Sequence, residues 1–138
     1  MRLVIFGITL LILATAPLRA VAPPNLVLVT PRNEGQFNFS VVLSARGKAR
    51  SFKVFAPPRI SGDCTPSIIG TELRAKDGQV IYSQTIELAA DKPGPELRGQ
   101  FEDSTQVLML WISYFCPTAV GTRYVFSSGD WERAGLLQ

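Results

Sequence analysis

Hydrophobic and polar positions alternate with period two along most of this chain. In the run 36–46, Phe37, Phe39, Val41, Leu43 and Ala45 fall on one side. Asn38, Ser40, Ser44 and Arg46 fall on the other, and only Val42 breaks the pattern. Such alternation predicts a half-buried β-strand. Shorter strands are predicted over 26–30, 50–55, 67–75, 79–88, 96–102 and 122–127, with Pro, Gly, Asn and Asp between them. Within these, Ile69, Thr71 and Leu73 should point inward and Glu72 and Arg74 outward, while Val80, Tyr82, Ile86 and Leu88 should share a face. Lys76-Asp77-Gly78 reads as a type I′ hairpin turn, because Asp-Gly suits two positive φ angles.

One run does not alternate. Residues 106–116, QVLMLWISYFC, are apolar on both faces, which predicts a central strand covered on both sides. Its β-branched and aromatic content favours strand over helix. Ser128-Gly129-Asp130 reads as a turn, Trp131 as a docking residue and the end as frayed. The pattern totals about eight strands with no helical period. It predicts an all-β fold: an antiparallel β-sandwich, immunoglobulin-like or related, with a small β-barrel as the alternative.

Residues 1–20 have the form of a secretory signal peptide. Arg2 precedes an apolar run from Leu3 to Ala16, Pro17 interrupts it, and Ala20 is a small residue at a plausible cleavage point. The run is shorter than the roughly 20 residues that span a bilayer. The expectation is therefore export to the periplasm or beyond, no stable membrane span after cleavage, and a single domain over residues 21–138. The formal charge of +3 falls to +1 when Arg2 and Arg19 leave with the signal. A balance this near neutral gives no case for nucleic acid.

The two cysteines, Cys64 and Cys116, read as one disulfide in an exported chain. In the chain-entropy model a loop of this length is worth on the order of 4 kcal/mol. Tyr114-Phe115-Cys116 resembles the Tyr-x-Cys of immunoglobulin domains, where the tyrosine lies two residues before the second bridged cysteine. The resemblance covers three residues and implies a sandwich. Here the first cysteine lies in the Pro-rich stretch 56–66, and no tryptophan follows it at the usual interval.

Histidine is absent. That removes Ser-His-Asp and Cys-His arrangements, imidazole bases and most catalytic zinc and copper sites. Bridged cysteines leave no thiol nucleophile and a poor zinc ligand set, so no cofactor or metal is expected. Two catalytic schemes survive. One is serine with lysine, for which the lysines are only Lys48, Lys53, Lys76 and Lys92, three of them in or beside turns. The other is a carboxylate pair acting on glycans, from Glu102/Asp103 or Asp130/Glu132. The binding candidates are basic: Arg46, Lys48, Arg50, Lys53 and Arg59, with Phe52 and Phe55 among them and no acid between Glu34 and Asp63. They suit an anionic envelope component, a glycan or a lipid head group, but such a run is more commonly a solvated hairpin that guards an edge strand. Asn38-Phe39-Ser40 fits a glycosylation sequon. With reactive side chains missing and a full β framework present, the expected function is that of an exported, non-catalytic interaction domain. It would serve as an envelope accessory subunit or an inhibitor, with a protein partner.

Overall fold

The computed structural model describes residues 23–89, 94–102 and 105–135. The expected signal over 1–20 lies outside this set, as do positions 90–93, 103–104 and 136–138. Eight strands form: β1 (Asn25–Val29), β2 (Ser40–Arg46), β3 (Ala49–Phe55), β4 (Thr65–Ala75), β5 (Val80–Glu87), β6 (Glu96–Glu102), β7 (Gln106–Phe115) and β8 (Thr122–Ser127). A short helix, α1 (Ser128–Arg133), follows β8, and a 3-10 turn spans Glu34–Phe37.

The strands make two sheets that pack face to face, a sandwich. The larger runs β1-β8-β7-β4-β5 and the smaller β2-β3-β6. β7 is the middle strand of five, as its composition predicts. Every neighbouring pair is antiparallel except β1 with β8, which run parallel.

The core lies between the sheets. From the larger come Val29, Tyr124, Phe126, Leu108, Leu110, Ile112 and Tyr114; from the smaller come Leu43, Phe52, Val54, Leu97 and Phe101. Aromatic rings link the layers: Phe39 sits 5.0 Å from Phe126 and 5.1 Å from Tyr124, centroid to centroid. Offset and edge-on pairs of this kind add to simple area burial. The sheets approach closely at Gly99, where a Cβ would lie 2.6 Å from Cδ2 of Leu108.

Local structure departs from the pattern at four places. The strand expected from residue 36 begins only at Ser40, because the 3-10 turn and Asn38 (φ 60°) come first. Phe39 still reaches the core, with 5 % of its surface exposed. The 76–78 turn is not type I′. Among the described residues only Asn38 and Ser61 have positive φ besides glycines, so Asp77 does not. Instead Gly78 (φ 89°) donates its N–H to Ala75 O, and Ala75 N donates to Gln79 O, closing a three-residue loop. Residues 128–133 form a helix rather than a turn. That helix delivers Trp131 into the core, 5.6 Å from Phe52 and 6.2 Å from Phe126. Finally, β5 bulges opposite Leu73 and Arg74, so Val80 faces Arg74 while Tyr82 faces Leu73. Val80 therefore does not share the face of Tyr82 and Ile86.

Cys64 and Cys116 are bonded, with Cα atoms 4.2 Å apart. The bridge joins the residue before β4 to the residue after β7. These strands are neighbours in one sheet, so the bond closes the end of that sheet. In immunoglobulin domains it crosses between sheets. The Tyr114 hydroxyl donates to Pro57 O at 2.6 Å, fifty-seven residues upstream and far from a local tyrosine corner. The likeness to immunoglobulin domains thus stops at the sandwich.

Candidate functional site

The structure does not gather the five basic residues into one patch. Arg46 and Lys48 are exposed at the β2–β3 turn. Arg50 has the strand parity of buried Phe52 and Val54, and its guanidinium donates to Gly47 O at 2.7 Å. Lys53 lies mid-strand on the opposite, outer face, level with Arg98 of β6. Arg59 follows the far end of β3, about 20 Å from the turn at strand rise per residue. That outer face is mostly polar: Ser40, Ser44, Ser51, Gln100 and Glu102 share it with Lys53 and Arg98, while Val42 and the exposed Phe55 are its large apolar members.

The carboxylate pairs are no better placed. Asp130 and Glu132 stand two residues apart on α1, so they point about 200° apart around its axis. Asp130 is held by Arg133. Asp103 lies outside the described residues. Among those described, no three Cys, Asp or Glu side chains converge to hold a metal ion.

The larger sheet is different. Its outer face carries Leu26 and Leu28 of β1, Val125 of β8, Met109, Trp111 and Phe115 of β7, and Ile68 of β4. This face was expected to be covered. Among the described residues nothing lies over it: Leu26, Leu28 and Phe115 are 65, 62 and 61 % exposed. Trp111 is partly shielded from within the face. Its indole lies across Gly70, and the Arg123 guanidinium stacks on the ring at 4.0 Å. Arg123 is held in turn by Nε donating to Ser113 Oγ at 2.9 Å.

β5 ends the larger sheet on one side, and all eight of its residues are exposed. Tyr82 and Ile86 have the same face as buried residues of β7, yet β5 lies beyond the reach of the smaller sheet. Nine large hydrophobic side chains are exposed among the described residues. Phe55 is on the smaller sheet; the other eight are on β1, β5 and β7 or, for Val120, in the β7–β8 connection. Sequence reading missed this concentration. Its signals were the uncharged run from Gly78 to Ile86 and the adjacent apolar pair Val80-Ile81, which no half-buried strand needs.

A cavity of about 350 Å³ opens at the disulfide end of the sandwich. Ser61, Asp63, Thr118 and Thr122 give it polar walls, Ile60 and Val120 apolar ones, and the Cys64–Cys116 bridge lies beneath. Tyr114 also borders it. Burial pushes the Tyr114 hydroxyl well above its ordinary pKa, with nearby Tyr124 adding to the effect. Tyr124 is itself raised by burial. Both phenols therefore stay protonated at neutral pH, and neither is poised to act as a base.

No family model, no curated protein and no solved structure matched this chain when it was compared with each.

Proposed function

We propose that this chain is an exported, non-catalytic interaction domain that meets a protein partner through its five-stranded sheet. One observation carries the reading: among the described residues, eight of nine exposed large hydrophobic side chains belong to that sheet or its β7–β8 connection, while the outer face of the smaller sheet is mostly polar, with Phe55 the ninth. Scattered exposed apolar residues are ordinary, but their concentration on one layer marks a contact surface. The formed disulfide and the signal-like residues 1–20 support export. The dispersal of Arg46, Lys48, Arg50, Lys53 and Arg59 weighs against an anionic surface as the main partner.

The test is site-specific photo-crosslinking in cells that make the protein. A photoreactive residue at Leu28 or Ile86 should yield products of defined mass, and one at Ser44 or Gln100 should not. Products from the second pair alone, or from none of the four, would overturn the reading.

A further inference from the structure

The larger sheet ends in a strand that lacks the usual protection along most of its length. Sheet edges are ordinarily blunted by charge, proline, bulges or brevity, because free N–H and C=O groups invite another strand. β1 has only five residues and follows Pro23 and Pro24. β6 carries Glu96, Arg98 and Glu102, and pairing it with itself about Gly99 would set Glu96 against Glu102. β2 is contacted by both α1 and the 3-10 turn. β5 has eight residues, a bulge only at its start, and no charge before Glu87.

The register fixes which groups are free. Leu88 N donates to Ser67 O at 2.8 Å, and Glu87 stands opposite Ile68. Antiparallel ladders alternate, so Ile86, Gln84 and Tyr82 bond inward to β4. Ser83, Thr85 and Glu87 then aim their backbone N–H and C=O groups at the open side.

We infer that β5 pairs antiparallel with β5 of a second copy of this chain, about a two-fold axis at Gln84, joining two five-stranded sheets into one of ten. The inference rests on the five-stranded sheet being the contact surface, and adds to the contact on its outer face a self-contact along its β5 edge. The sequence of the strand is self-complementary in this register. Tyr82 falls opposite Ile86 of the other copy, an aromatic and β-branched pair of the kind that stabilises sheets. Ser83 falls opposite Thr85 and exchanges backbone hydrogen bonds with it, twice by symmetry. Gln84 meets its own counterpart. Each pair shares parity, so the two smaller sheets lie on the same side of the joined sheet. No like charges meet: Glu87, the only charge in β5, falls opposite Ile81 at the bulge.

Pairing along one strand buries less than the roughly 1,200 Å² of a stable interface. The contact is therefore of the weak, transient class.

Sedimentation equilibrium of the disulfide-bonded chain, from about 1 µM to about 500 µM, covers the range in which weak self-association is read. The apparent mass should climb from one chain toward two. Thr85→Pro removes an N–H that β4 does not use, and proline is tolerated on edge strands. It should remain monomeric throughout, with a circular dichroism spectrum like the parent's. Amide exchange at Ser83, Thr85 and Glu87 should slow as concentration rises. A parent that stays monomeric, or a Thr85→Pro variant that still dimerises, overturns self-pairing. If the parent is monomeric while Ile86 crosslinks to a different protein, self-pairing fails and the sheet surface stands. If no crosslink forms either, both fail.

Discussion

Trp111 lies across Gly70 so closely that a Cβ on the glycine would meet the indole Cε2 at 1.9 Å. Gly70 is in the middle of β4 and directly opposite Trp111 in β7. In sequence, a mid-strand glycine reads as a weakness. In the fold it is the seat that lets a large ring lie down on the outer face, where Arg123 then stacks on it.

Gly70→Ala should lift the ring from this seat. The other tryptophan, Trp131, is 1 % exposed, so a change in emission reports on Trp111. The expected result is a red shift, with a stability loss of about 1 kcal/mol or less, since a stacked cation at an exposed site contributes little more. An unchanged spectrum would contradict the seating.

At the end of β8, Ser128 Oγ accepts a hydrogen bond from Leu108 N at 3.0 Å. The β7–β8 register ends at the Met109–Ser127 pair, so the hydroxyl takes the next place in the ladder. Both residues are buried. Ser128→Ala leaves that N–H without a partner and should cost about 1–3 kcal/mol in urea unfolding. A loss near zero would mean that the N–H finds another acceptor.

Alkaline pH should destabilise the fold through Tyr114 and Tyr124. Each holds its proton more tightly folded than unfolded, since burial raises both pKa values above the ordinary 10.0. Below the unfolded value both states are protonated and the contribution is complete. Above it the unfolded state alone gives up protons, so stability falls as pH rises past about 10. Tyr114→Phe should start about 1 kcal/mol lower, having lost the bond to Pro57 O, and then decline less steeply. Equal slopes for parent and variant would contradict this assignment.

Reduction of Cys64–Cys116 frees the ends of β4 and β7 where they meet. The expected loss is about 2–4 kcal/mol, measured by urea unfolding with and without reductant. Coincident curves would show that packing alone holds that end.

Much of the framework was legible because period-two alternation carries it. The strand limits of β6 and β8 coincide with the pattern, and β7 is central because its run is apolar on both sides. The same signal implied a coverage that the described residues do not supply. Apolar composition on the outer face of β7 implied a covering layer, but Trp111 is shielded by its neighbours Gly70 and Arg123 within the sheet. Tyr82 and Ile86 have the correct parity for burial and remain exposed, since the smaller sheet is three strands wide and does not reach β5. Which strands a layer covers depends on pairing between distant segments, and no local pattern encodes it. The basic run is dispersed in the fold for a related reason. Proximity in sequence along an extended strand separates Lys48 from Arg59 and places Arg50 and Lys53 on opposite faces.

Footprinting with a small carbene reagent, read by mass spectrometry, tests the contact surface most directly. The purified chain in dilute solution is compared with the same chain in its native extract. Labelling at Leu26, Leu28, Ile86 and Phe115 should drop in the extract, while labelling around Ser44, Lys53 and Gln100 stays the same. Protection confined to the smaller sheet, or identical labelling in both settings, would contradict a partner-binding role for the five-stranded sheet.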